Sequence, residues 1–157
     1  MSDAKNEYRI EKVRRAVELT LANGQRLEGD VFVQFTARYR AGPADPLDLL
    51  NDDETFLPLV IDSGDAYLVQ KAQIAVVGTR LPEGDDAVDR ALVGMNVELT
   101  LIDGSTHIGS LFLEVRATRQ RLVDALNDLS TPFLALFTAD QLRLVNRRHI
   151  AYARPVT

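Results

Sequence analysis

Cysteine and tryptophan are absent from the 157 residues, and histidine occurs only twice. Without cysteine there are no disulfides, no thiolate zinc site, no iron–sulfur cluster and no cysteine nucleophile. Aromatic residues make up 6% of the chain, so stacking platforms for single-stranded nucleic acid are thinly supplied. No apolar run approaches the roughly 18 residues of a membrane-spanning helix. The first twelve positions carry charges where a signal peptide needs an apolar stretch. A cytoplasmic protein without membrane contact is the expectation. Glycine-rich phosphate loops are missing too, and no serine stands in a nucleophile-elbow context.

What is present is an ordinary globular composition, 46% hydrophobic and 26% charged with a net charge of −5. The length allows one medium domain or two small ones. The charge is uneven: residues 41–90 hold eleven acidic side chains against Lys71, Arg80 and Arg90. Such a middle repels a phosphate backbone, so RNA is a possible partner that the charge disfavours.

The chain reads as though written twice. Val17-Glu18-Leu19-Thr20-Leu21 recurs as Val97-Glu98-Leu99-Thr100-Leu101. The same offset of 80 pairs Gly24 with Gly104, Gly29 with Gly109 and Phe32 with Phe112, and nine of the 21 positions over residues 17–37 match. The match resumes after a small length difference. Leu50-Asn51-Asp52 faces Leu126-Asn127-Asp128, Phe56-Leu57 faces Phe133-Leu134, Leu68-Val69 faces Leu144-Val145, and Ile74-Ala75 faces Ile150-Ala151.

Each copy translates into structure. Val17, Leu19 and Leu21 alternate with polar neighbours, Asn23-Gly24 interrupts, and Leu27, Val31, Val33 and Phe35 follow, which predicts a hairpin. Asn23-Gly24 and Asp103-Gly104 are both favoured pairs for a type I′ turn. Gly29 and Gly109 predict a bulge or sharp bend in the second strand. Asp45 and Pro46 suit the cap and first position of a short helix through Asn51. Leu122, Val123, Ala125, Leu126 and Leu129 share one apolar helix face in residues 120–129. Strands are expected over residues 55–61, 66–77, 132–138 and 141–153, and short helices before each hairpin, over residues 6–15 and 86–92. Leu81-Pro82-Glu83-Gly84 opens the natural linker.

Helix, glycine-turn hairpin, bent strand and final strand pair follow one another as in the small ring-forming barrels. Residues 94–104 with Ile108-Gly109-Ser110-Leu111 resemble the first motif of Sm and LSm proteins, and residues 15–24 with Leu27-Glu28-Gly29-Asp30-Val31 are its weaker counterpart. Residues 144–150 and 68–74 resemble the second motif. The resemblance covers about half of each copy. It implies a barrel pair whose edges assemble by strand addition. RNA-binding Sm proteins carry an Asp, an aromatic and an Asn in the loop after the bent strand, and an Arg-Gly pair near the end. Here a Leu-Asn-Asp helical insertion replaces that loop. Neither Gln70-Lys71-Ala72 nor Asn146-Arg147-Arg148 supplies the glycine.

The expected fold is mainly β with short helices: two tandem Sm-like, strongly bent β-barrels or half-barrels related by an internal repeat, with residues 1–80 and 81–157 as the two units. The expected function is a non-catalytic binding or assembly module that self-associates as a dimer or larger, with another protein as a possible partner. The alternative is RNA or nucleotide binding through Arg38, Arg40, Arg116, Arg119, Arg121, Arg147 and Arg148, whose forked donors suit phosphate or carboxylate. A lesser alternative is an enzyme using Asp52, Asp53 or Glu54. Asp85, Asp86 and Asp89 also crowd together, as solvated acids at a helix start do. Asn51 and Asn127 suit helix caps at a helix-to-strand corner. His107 and His149, with Leu27 and Gln73 as counterparts, are too few for a metal site, and no cofactor is expected.

Overall fold

The computed structural model describes residues 12–34, 45–82, 92–114 and 122–156. Its elements run β1 (Lys12–Leu21), β2 (Arg26–Gln34), α1 (Pro46–Leu50), β3 (Phe56–Val60), β4 (Ala66–Gln70) and β5 (Ile74–Thr79), then β6 (Leu92–Leu101), β7 (Thr106–Glu114), α2 (Leu122–Leu126), β8 (Phe133–Phe137), β9 (Leu142–Asn146) and β10 (Ile150–Pro155). All ten strands form one sheet in the order β10-β6-β7-β8-β9-β5-β1-β2-β3-β4, and every neighbouring pair is antiparallel. The sheet is open. Strands β10 and β4 are its two ends, and the same local order, last strand then first to fourth, occurs on each side of the β9–β5 pair.

The long hairpins follow from alternation. Val17 and Leu19 in β1, and Val97 and Leu99 in β6, are buried, while Glu18 and Glu98 between them are not, as a strand with period two requires. The expected helix over residues 6–15 is corrected over residues 12–15; its remainder, residues 6–11, lies outside the described residues. Lys12 to Arg15 belong to β1, paired with Gln34 to Val31 of β2. Nine consecutive cross-strand pairs outweigh a weak helical period. Likewise Leu92, expected at a helix end, begins β6 and pairs with Glu114.

The turns also differ in type from the expectation. Gly24 and Gly104 both have φ near +87°, but no non-glycine residue among those described has positive φ, so Asn23 and Asp103 do not sit in a type I′ turn. Gly24 N–H donates to the Leu21 carbonyl at 2.9 Å, and Leu21 N–H to the Gln25 carbonyl at 2.9 Å. These bonds define a type I turn closed by a left-handed glycine bulge. Asn23 Oδ1 accepts from Gln25 N–H at 2.9 Å and Asp103 Oδ1 from Ser105 N–H at 2.9 Å, which explains the Asn or Asp before each glycine.

Gly29 and Gly109 mark the bend of the second strand. A Cβ on Gly29 would lie 2.5 Å from the Val60 carbonyl oxygen, and one on Gly109 2.6 Å from that of Phe137. At these points β2 meets β3 through the Asp30–Val60 pair alone, and β7 meets β8 through Ser110–Phe137 alone. The two long strands expected over residues 66–77 and 141–153 are each broken by a 3₁₀ turn, Lys71–Gln73 and Arg147–His149. Helix α1 has the expected start. Asp45 accepts from Asp48 N–H at 3.2 Å and Asp48 accepts from Asp45 N–H at 2.8 Å, a closed capping box ahead of Pro46.

Two cores lie along the sheet, and each draws on both halves of the chain. The first joins Val17, Leu19, Val33, Leu50 and Leu59 to Phe133, Leu142 and Leu144 from the second half. The second joins Val97, Leu99, Leu111, Leu122 and Leu136 to Ala75 and Val76 from the first half. The boundary expected near residue 81 falls in the connection between β5 and β6, of which Arg80, Leu81 and Pro82 are described.

Candidate assembly interface

The seam between the halves is a strand pairing reinforced by side chains. Its ladder sets Val76 opposite Val145, Val77 opposite Leu144, Gly78 opposite Arg143 and Thr79 opposite Leu142. Beyond the ladder, Asn51 at the end of α1 grips the backbone of Phe133 with both ends of its amide. Phe133 N–H donates to Asn51 Oδ1 at 2.8 Å, and Asn51 Nδ2 donates to the Phe133 carbonyl at 3.1 Å. Asn146 Nδ2 donates to the Ile74 carbonyl at 3.0 Å, and His149 Nε2 lies 2.9 Å from the Ala72 carbonyl, which fixes its proton on Nε2. Seam strands are covered on both faces: Ile74 to Val77 are all buried, as are Leu142 and the run Leu144 to Asn146.

The free ends of the sheet have the same strands without the cover. Strand β4 holds in the first half the place that β9 holds in the second, and β10 that of β5. Phe133 is 2% exposed and Leu144 0%, whereas Phe56 is 49% exposed and Leu68 69%. Tyr67 on β4 and Tyr152 on β10 are exposed as well, and so are Val123 in α2 and Leu129 just after it. This corrects the expected apolar face of that helix: only Leu122 and Ala125 are buried in it. Helix α1 packs its apolar residues into the first core and against β8, while α2 seats Leu122 and Ala125 in the second core with Leu126 partly covered.

The polar clusters are inward and structural. Lys71 is buried, donates to the Leu49 carbonyl at 2.6 Å and pairs with Asp52. Asp52 also accepts from Glu54 N–H at 2.9 Å, while Asp53 and Glu54 are exposed. Arg147 Nε donates to the Ala125 carbonyl at 3.1 Å, and its Nη1 donates to Thr131 Oγ1 at 2.7 Å and to the Thr131 carbonyl. Burial lowers its pKa from the ordinary value. Arg148 is exposed. Arg38, Arg40, Arg116, Arg119 and Arg121, like Asp85, Asp86 and Asp89, lie outside the described residues. Asn127 follows the last residue of α2, its N–H donating to the Val123 carbonyl at 3.0 Å. Among the described residues no three His, Asp or Glu side chains converge on a cation site. The recess beneath α1 is lined by apolar side chains, including Pro46, Leu49, Leu57 and Val77, and has no room for a water-sized sphere.

Sequence reasoning missed one chain of hydrogen bonds. Arg143 Nη1 lies 2.9 Å from His107 Nδ1, His107 Nε2 3.0 Å from Ser105 Oγ, and Ser105 Oγ 2.6 Å from Asp103 Oδ1. A guanidinium only donates, so Nδ1 accepts, Nε2 carries the ring proton and donates to Ser105 Oγ, and the Ser105 hydroxyl donates its hydrogen bond to Asp103. A histidine in that tautomer takes no proton from Ser105, so the row is a positioned network and not an activated nucleophile. Burial first, then the Arg143 charge, lowers the His107 pKa below 6.5. The neutral ring is therefore the folded form. Its contribution to stability is complete above about pH 6.5 and is lost as the pH falls through the lowered folded value. In urea titrations between about pH 8 and pH 5, the wild type is expected to lose more stability than His107→Gln. Parallel pH profiles for the two proteins would contradict this.

No family model, curated protein or solved structure matches the chain. The exposed residues Tyr67, Leu68 and Tyr152 on the end strands, and Phe56 on β3 next to one of them, were also missed in the sequence. Their signal was Tyr67-Leu68-Val69, an unbroken apolar run that marks a strand destined for cover on both faces.

Proposed function

We propose that this chain is a duplicated Sm-like unit serving as a non-catalytic assembly module, which associates with further copies of itself by strand addition at the ends of its sheet. One observation carries the reading. Phe133 and Leu144 are 2% and 0% exposed where the halves meet, while Phe56 and Leu68, at the same positions of the strand order, are 49% and 69% exposed at the free end. Unpaired edges with apolar side chains are templates for another strand, and natural proteins blunt them with charge when they are to stay single. Here β4 reads Ala66-Tyr67-Leu68-Val69-Gln70 and carries no charge.

Sedimentation equilibrium over a wide concentration range tests this. A dimer or larger species is expected, with Leu68→Glu reverting to monomer while keeping its circular dichroism. A wild-type protein that remains monomeric at hundreds of micromolar, a concentration at which even weak contacts of about 5 kcal/mol populate dimers, would overturn the proposal.

A further inference from the structure

Resting on the assembly reading, we infer that β10 of one copy receives β4 of the next, head to tail in the register of the β5–β9 seam, and that Asn127 is the clasp that holds Phe56 of the arriving copy.

The register follows from pairings already described. Thr79, Gly78, Val77 and Val76 of β5 stand opposite Val17, Glu18, Leu19 and Thr20. Pro155, Arg154, Ala153 and Tyr152 of β10 stand opposite Val97, Glu98, Leu99 and Thr100, with an irregularity at the corresponding step. Strands β3 and β4 pair as β8 and β9 do, with Phe56 opposite Gln70 and Phe133 opposite Asn146. Carrying the seam over sets Tyr152 against Val69, Ala153 against Leu68, Arg154 against Tyr67 and Pro155 against Ala66 of the second copy. Pro155, having no N–H, ends the ladder there. Gln141 lies over Gly78 in the seam, where a Cβ would come within 2.7 Å of its side-chain oxygen. The matching residues at the new contact are Asp65 and Arg154, which are opposite in charge.

The clasp has the same backbone as its template. Asn127 N–H donates to the Val123 carbonyl at 3.0 Å as Asn51 N–H does to Leu47 at 3.0 Å, and Asp128 and Asp52 each donate back over 3.4 Å, to Ala125 and Leu49. Asn51 holds Phe133; the Asn127 side chain is exposed and forms no hydrogen bond among the described residues. Phe56 presents what the clasp needs. Lys71 N–H donates to the Thr55 carbonyl at 3.0 Å as Arg147 N–H does to Pro132 at 2.9 Å. By antiparallel alternation the amide and carbonyl of Phe56, like those of Phe133, then point away from the neighbouring strand. Seated there, Phe56 and Leu68 would close the open end of the second core beside Val123 and Leu129, as Phe133 and Leu144 close the first.

The arrangement is heterologous: the two contact surfaces of a copy differ, and each can be blocked alone. Leu68→Glu blocks the β4 edge. Ala153→Pro blocks β10, since Val156 N–H donates to Asn96 at 2.9 Å, so alternation turns the Ala153 amide outward. Each variant alone is expected to be monomeric, and their mixture to give a one-to-one dimer and nothing larger. A variant that still dimerises alone, or a mixture that stays monomeric while the wild type assembles, overturns the head-to-tail pairing. A wild type that never assembles overturns the earlier proposal instead. Asn127→Ala should weaken association about tenfold or more, as expected from losing two hydrogen bonds, with the melting temperature of the dilute monomer unchanged. Association at wild-type strength in that variant overturns the clasp, and a lowered monomer melting temperature shows a role in the fold instead.

Discussion

Phe133→Ala is expected to destabilise the monomer by about 3 to 5 kcal/mol, and Phe56→Ala by less than about 1 kcal/mol. The two phenylalanines start the corresponding strands β3 and β8, so propensity and hairpin pairing treat them alike. Burial separates them: Phe133 is packed inside the first core, across the seam from its own half of the chain, and Phe56 faces solvent. The measurement is urea denaturation at concentrations too low for association. Because Phe133 binds one half to the core of the other, its loss should lower a single cooperative transition and not split it. Equal costs for the two substitutions would mean that the seam does not bury what its geometry shows.

Asn146→Asp should cost about 3 kcal/mol near neutral pH, from one lost hydrogen bond and an uncompensated buried charge. Asn146 is 3% exposed and is used at both ends. Its Oδ1 accepts from Arg148 N–H at 3.0 Å, shaping the 3₁₀ turn, and its Nδ2 donates to the Ile74 carbonyl at 3.0 Å, crossing the seam. The carboxylate keeps the first bond and sets an oxygen against the Ile74 carbonyl in place of the second. Gln70→Glu, at the exposed counterpart on β4, should change stability by no more than about 0.5 kcal/mol in dilute monomer. Thermal melts of both variants against wild type decide, and a mild effect at Asn146 would remove its role across the seam.

Much of this fold was legible because its signals are local. Alternation located the long hairpins, the glycines at positions 24, 29, 104 and 109 located their turns and bends, and Asp45-Pro46 located the start of α1. What was not legible depends on partners distant in sequence. Whether Asn23-Gly24 sits at both central positions of a turn or one step later is set by strand register, and register is set by the opposing strand. The start of β1 at Lys12 is likewise held by β2 and not by its own period. In the sequence Arg147 is a candidate anion-binding arginine and Lys71 one of three cations in an acidic stretch, yet each turns inward to a carbonyl supplied by the helix behind it. The candidate interface was the least legible. Phe56 and Phe133 align in sequence, and nothing local tells which of them the other half of the chain will cover.

A seam made within one molecule cannot be diluted away. The β5–β9 contact forms at the high effective concentration of a tethered pair, while a contact between copies answers to the amount of protein present. In an assembly of such chains two kinds of joint therefore alternate, one permanent and one adjustable. If copies join as proposed, each would add ten strands at a time, five from either side of its own seam, so a closed ring of whole chains would hold an even number of these five-strand sets.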